Sequence, residues 1–283
     1  MTTPNFVYIG LIKTGSSWLF HNFQHHPEVF IPEIKYTNYF NVFPHRSIEW
    51  YLQHFRHVQP QHRAVGEFGI GYLPLEHAIE KLYRINPKMK FIYFVRNTLD
   101  HQISVVFQLK RSTADSPQAL MEQLVARHAR GHRPSAQLPK WIERFGREQF
   151  LFRRFDDIKT RPDELLREVY DFLGVPALPP APLTAVEENR RQAPRSVLLG
   201  SVSREVADRL RQFGLYDTLA RLKQSPRVRR LVFKDVGDAE RAEISELRAR
   251  YATAFADEDA RVLELTGLVE TASLSNSAMA RSG

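Results

Sequence analysis

Lys13-Thr14-Gly15-Ser16-Ser17 follows closely on the β-branched and aromatic run Phe6-Val7-Tyr8-Ile9 and leads into Trp18, Leu19 and Phe23. This pattern predicts a buried strand, a turn at Gly15, and a helix that Ser16 and Ser17 can cap. A helix N-terminus offers unpaired N–H groups and the positive end of the helix dipole, so the chemistry it suits is the grip of a phosphate-like anion. The residue order excludes the loop of nucleotide triphosphatases. That loop places its lysine inside the turn, in a Gly-Lys-Ser/Thr triplet, whereas Lys13 precedes the glycine here.

A second basic residue stands in a comparable place. Phe91–Val95 reads as a strand that ends at Arg96, and Asn97-Thr98-Leu99-Asp100 opens a helix carrying Ser104. Positioning these groups requires a sheet. Strands are expected at about Phe6 to Gly10, Ala64 to Phe68, Phe91 to Val95 and Phe150 to Phe155. Helices are expected at Trp18 to Gln24, His77 to Ile85, Leu99 to Leu109 and Pro162 to Leu173. Such alternation argues for a parallel sheet covered on both faces and joined by right-handed crossovers. Ligands of open α/β sheets bind at the carboxyl ends of the strands. Those ends here carry Lys13, Glu67, Arg96 and Asp156 or Asp157. Between them, residues 112–136 read as a mobile surface connection with a helix near Pro117 to Ala129.

The stretch from Lys13 to Trp18 resembles the loop with which PAPS-dependent sulfotransferases hold the 5′-phosphosulfate of 3′-phosphoadenosine 5′-phosphosulfate (PAPS). Arg96-Asn97, Asp100 and Ser104 are similar to the family's 3′-phosphate site, with Thr98 where proline is usual. Phe150 to Ile158, Pro162 and Tyr170 to Val175 resemble the late strand and helix of the same family, so the likeness covers roughly residues 5 to 200. His26 to Pro32, with Tyr39-Phe40, looks most like the bacterial and heparan-type branch. The resemblance implies a three-layer, P-loop-like α/β fold with a central parallel sheet flanked by helices and a helical C-terminal extension. It also implies transfer of a sulfuryl group from PAPS, without a metal, to a hydroxyl or amine of a carbohydrate, lipid or small-molecule acceptor. Cofactor contacts then fall to Lys13, Thr14, Gly15, Ser16, Ser17, Trp18, Arg96 and Ser104. Arg195 is a further candidate for the 3′-phosphate.

An acceptor that loses a proton calls for a base within hydrogen-bond reach. Heparan-type relatives have a glutamate four residues before a phenylalanine; that place is taken here by Tyr36, ahead of Phe40. A tyrosine with an ordinary pKa near 10 is a poor base at neutral pH. Glu67, at the end of its strand, is the geometric alternative, either as the base or as a brace that orients Arg96 or Lys13. Glu33, His26 and His101 are further candidates.

The chain has 283 residues, a formal charge of +8 and no cysteine, which excludes disulfides and thiolate chemistry. Its apolar run Phe6 to Ile12 is too short to span a bilayer, and a cytoplasmic protein is expected. The basic stretch from Arg190 to Lys234 allows a rival reading as a non-catalytic polyanion binder; another rival is a P-loop kinase-like phosphotransferase. The charge points to an acidic partner, which could be nucleic acid, an anionic membrane, a polyanionic sugar or a nucleotide cofactor, and does not choose among them; the resemblance implies a small-molecule or glycan acceptor and no nucleic acid. The expected division is a core over residues 1–200, a helical extension packed on it over 201–270, and a disordered tail over 271–283. Amphipathic helices are expected at Ser203 to Phe213 and Ala239 to Leu265. The histidine pairs His21/His25 and His128/His132 lack a third metal ligand.

Overall fold

The computed structural model describes residues 2–111, 113–181, 192–194, 233–235 and 238–268. Five apolar runs, β1 (Phe6–Tyr8), β2 (Val29–Phe30), β3 (Ala64–Phe68), β4 (Lys90–Val95) and β5 (Phe150–Arg154), form one sheet in the order β2-β3-β1-β4-β5. Every pairing is parallel, with Val7 opposite both Glu67 and Phe91. All residues of β1 and β3 are buried, as expected for strands covered on both faces.

Alternation along the strands divides the core. Phe6 and Tyr8 pack with Trp18, Leu19 and Phe23 of α1 (Ser16–Gln24) and with Leu166 and Tyr170 of α8 (Pro162–Leu173). Val7 and Ile9 belong to the opposite face, with Tyr51 of α2 (Ile48–Leu52), Leu82 of α3 (Glu76–Ile85), and Trp141 and Phe145 of α6 (Pro134–Phe145). The result is a three-layer α/β fold. The short α7 (Asp157–Thr160) turns the chain from β5 into α8.

A third cluster lies beyond the sheet. Leu99, Ile103, Val106 and Phe107 of α4 (Thr98–Lys110) enclose Leu120 and Met121 of α5 (Pro117–Ala129) together with Leu247 and Phe255. The stretch expected as a surface connection therefore contributes buried side chains. The expected helical span Ala239 to Leu265 is two helices, α9 (Asp238–Arg250) and α10 (Ala256–Thr266). The turn between them delivers Phe255 into the α4–α5 cluster. A separate antiparallel pair joins β6 (Gln192–Pro194) and β7 (Phe233–Asp235). Arg195, most of the basic stretch, the helix expected at 203–213 and the tail from 271 lie outside the described residues. Among the described residues, no helix is long and apolar enough to cross a membrane.

Thr98, where the family usually has proline, has its own use. Its N–H and hydroxyl both donate to Oδ1 of Asp259 on α10, at 2.7 and 2.5 Å, and the Asn97 amide donates to Oδ2 at 2.7 Å. Proline would lack the N–H and the hydroxyl. Arg248–Asp100 and Lys110–Glu243 ion pairs add to the same seam. We predict that Asp259→Ala and Thr98→Pro each cost about 1–3 kcal/mol, the usual cost of stranding part-buried polar groups. Urea unfolding checks this; midpoints equal to wild type for both variants would refute it.

Candidate functional site

The loop after β1 is held from beneath, one carbonyl at a time. The Thr14 hydroxyl donates to the Leu11 carbonyl at 2.5 Å, His101 Nε2 to that of Ile12 at 3.0 Å, Arg96 Nη1 to that of Lys13 at 2.6 Å, and the Tyr8 hydroxyl to that of Thr14 at 2.7 Å. In a trans peptide the N–H points opposite the carbonyl. Four consecutive carbonyls drawn inward therefore leave the following N–H groups on the other side, the arrangement of an anion nest. Lys13 itself has φ 62, a left-handed conformation that costs a non-glycine residue on the order of 1 kcal/mol and is sustained here by those bonds.

Gly15 then starts α1 at φ 93, and a Cβ there would lie 2.3 Å from Ile158 Cδ1. The position needs glycine for its backbone and for its space. Ser16 and Ser17 are not the cap: Gly15 is, and it offers no side chain. The first turn of α1 also contains no acid. The serine hydroxyls instead receive Lys35, whose Nζ lies 3.1 Å from Ser16 Oγ and 2.7 Å from Ser17 Oγ. Thr14 and Trp18 contribute through their main chain alone, since the Thr14 hydroxyl is committed to Leu11 and Tyr8 and the Trp18 indole packs in the core.

Arg96 is half-buried, with its guanidinium 4.6 Å from the Phe155 ring centroid, and burial draws its pKa below the ordinary value. His101 faces a carbonyl through Nε2, so that nitrogen carries the proton, while its buried Nδ1 has no hydrogen-bond partner. Burial, and then the charge of Arg96, push His101 down to about 4; it is neutral at physiological pH and committed to the loop. Ser104 is one turn beyond His101 and partly exposed, on the side of α4 that meets the loop.

Glu67 stands at the strand end as expected but on the other face. It shares the side of β3 taken by Val65, away from α1. Its carboxylate is 1% exposed and accepts from Tyr51 at 2.6 Å on Oε1, and from Thr37 at 2.5 Å and Tyr72 at 3.2 Å on Oε2. The partners of Glu67 are these hydroxyls, not Arg96 or Lys13. Burial raises its pKa to about 7 despite the three donors. Tyr36 is hydrogen-bonded to Ser16, and burial pushes its phenol up to about 12. His26 is turned away, bonded to the Pro176 carbonyl and the Glu28 N–H.

Residues 3–196 match the family described as Sulfotransferase domain. The chain belongs to this sulfotransferase family. The membrane-associated sulfotransferase kil1 of Dictyostelium discoideum is 27% identical over 132 residues, which are 44% of this chain and 28% of that protein. The chain thus matches less than a third of that relative's length. The crystal structure of a sulfotransferase from Alicyclobacillus acidocaldarius shares the fold with a TM-score of 0.55 and 21% identity, covering 77% of this chain and 97% of that one. A sulfotransferase domain uses a sulfuryl donor, and the nest and the uncapped α1 terminus fit an anionic one.

The sequence marks the loop and Arg96; the bonds that Thr37, Tyr51 and Tyr72 give to Glu67, and the approach of Lys35 to α1, arise only in the tertiary structure. The lysine is the one whose position beside Tyr36 could have flagged it. Glu67 supplies a pH test. Its folded-state pKa is raised from 4.5 to about 7, so the fold favours the protonated form. That contribution is fully present below about pH 4.5 and is lost as pH rises through 7. At about 1.4 kcal/mol per unit it is on the order of 3 kcal/mol. Denaturant titrations across this window should show wild type losing stability with rising pH by an amount that Glu67→Gln does not lose; parallel curves would exclude the shift.

Proposed function

We propose that this sulfotransferase moves the sulfuryl group of PAPS to the hydroxyl or amine of a carbohydrate, lipid or small-molecule acceptor. The observation that supports the reading is the Arg96 bond to the Lys13 carbonyl, which brings together two basic residues that are far apart in sequence and that the family resemblance assigns to the 3′- and 5′-phosphates. N–H groups from Thr14 to Trp18 and the Ser16 and Ser17 hydroxyls hold the 5′-phosphate. The remaining N–H groups of Arg96 and the Ser104 hydroxyl hold the 3′-phosphate, with Arg195 as a further contact.

PAPS supplies a sulfuryl group on a good leaving group. The bond between sulfur and the bridging oxygen breaks with its electron pair left on the phosphate, while sulfur bonds to the acceptor oxygen or nitrogen. Lys13 donates an N–H to the oxygen on which charge develops. Such transfer needs alignment and charge stabilisation more than covalent help from protein, by analogy with phosphoryl transfer. Tyr36, with its pKa near 12, keeps its proton and donates. Glu67 acts as a positioning residue: it holds Thr37, and through it the segment that carries Lys35 and Tyr36. The acceptor's proton passes to water as the new bond forms.

Two outcomes are expected. The product nucleotide 3′-phosphoadenosine 5′-phosphate (PAP) should raise the melting temperature of wild type. Lys13→Ala should cut release of radiolabelled sulfate from PAPS by about 100- to 1000-fold. Glu67→Gln should retain most activity; loss of the acidic limb of the pH–rate profile with a drop beyond about 100-fold would make the carboxylate the base instead. Absence of both PAP stabilisation and sulfate release would remove the proposed function.

A further inference from the structure

We propose that a cavity on the flank of the sheet is a saccharide subsite, which holds a neutral sugar unit of the acceptor away from the reacting centre. That this sugar belongs to the acceptor rests on the PAPS reading above; the cavity's fitness for a sugar does not. It has a volume of about 530 Å³ and lies between the C-terminal end of α1, the edge strand β2 and the residues that lead into β3. That volume is in the range of sites for small organic ligands.

The lining combines an aromatic ring with uncharged polar groups. Phe30 is half-buried, its ring 5.4 Å from that of His62, and Gln24, His25, Glu33 and Gln61 are exposed around the cavity. Hydrogen bonds already made fix both neutral histidine rings. His25 Nδ1 lies 2.8 Å from the His21 carbonyl and donates to it, which leaves Nε2 as an acceptor. His62 Nδ1 accepts from the Gln59 N–H at 2.8 Å, so its Nε2 carries the proton and is a donor. The two amides each offer donors and an acceptor, and Glu33 adds a carboxylate acceptor.

A sugar matches this set. Its ring has a face of C–H groups that can lie on an aromatic side chain, and each of its hydroxyls both donates and accepts. No lysine or arginine lines the cavity, and Glu33 is its one carboxylate, so an acidic ligand is disfavoured. A lipid chain would leave the polar groups without partners. Among the described residues, no three His, Asp or Glu side chains are grouped to hold a metal ion, so the histidines are assigned to hydrogen bonding.

The position suits a remote part of the acceptor. The nine residues of α1, at about 1.5 Å each, put the cavity roughly 13 Å from the anion nest at the helix start. Glu33, at the rim, is two residues before Lys35, whose Nζ meets the Ser16 and Ser17 hydroxyls. One segment therefore runs from the cavity to the donor site. An oligosaccharide with one unit in the cavity can follow it and present a further hydroxyl at the nest. Contacts so far from the reacting atoms are equal in the ground and transition states, so they lower KM and leave kcat alone.

The test is saturation-transfer NMR on the full chain with neutral gluco-, galacto- and chito-oligosaccharides, and with heparin-derived oligosaccharides alongside. A neutral member should bind wild type with a dissociation constant on the order of 1 mM. Gln61→Ala and His62→Ala should each lose that signal while binding PAP by calorimetry as wild type does, which also shows that they are folded. With radiolabelled PAPS, the oligosaccharide that binds should accept sulfate, and both variants should raise its KM about 10-fold with kcat within about twofold of wild type. The subsite is overturned if no neutral oligosaccharide binds, if only the heparin fragments bind, or if both variants keep the wild-type signal. An oligosaccharide that binds but accepts no sulfate, or variants that lower kcat with KM unchanged, would overturn its service to the acceptor. Failure of wild type to bind PAP would bring down the PAPS reading instead, and the NMR comparison would still decide whether the cavity takes a sugar.

Discussion

One hydrogen bond, from the Arg96 guanidinium to the Lys13 carbonyl at 2.6 Å, ties the end of β4 to the loop after β1. Without it the left-handed turn at Lys13 would lack a main support, and the two basic residues would have no fixed relation. The bond is one of four that draw successive loop carbonyls inward. Its donors come from β1, the loop itself, the end of β4 and α4, so the anion nest forms only when the central strands and α4 are assembled. Local sequence favours the turn, but tertiary structure sets its direction.

The same dependence runs outward from the loop. Arg96 leads into α4, whose first residue is held by Asp259 of α10. On the other side, buried Glu67 secures Thr37 and so the chain that presents Lys35 to α1. The site is thus braced from the C-terminal helices on one flank and from a hydroxyl–carboxylate cluster on the other. Both braces use buried or half-buried polar groups, which are costly if left unpaired and so define one arrangement sharply.

Much of the frame was legible in sequence because it depends on local signals. β3 runs from Ala64 to Phe68 and α8 from Pro162 to Leu173, as apolar pattern, Pro162 and the left-handed Gly174 indicate. β2 has only two residues and no periodicity to detect, and α6 is obscured by Pro139 within it. Within the site, Lys13, Gly15 and Arg96 were readable as groups at strand and helix ends. The face on which Glu67 points was not, since it depends on the register with β1. Lys35 stands beside Tyr36 in the sequence, but its proximity to Ser16 and Ser17 is created by the path of the chain through β2.

The most direct measurement is a crystal structure of the protein with PAP bound. It should place the 5′-phosphate within hydrogen-bond reach of the main-chain N–H groups at the start of α1 and of Lys13. Arg96 should bridge the Lys13 carbonyl and the 3′-phosphate. A nucleotide bound away from this edge of the sheet, or an Arg96 that releases Lys13 without touching a phosphate, would contradict the account.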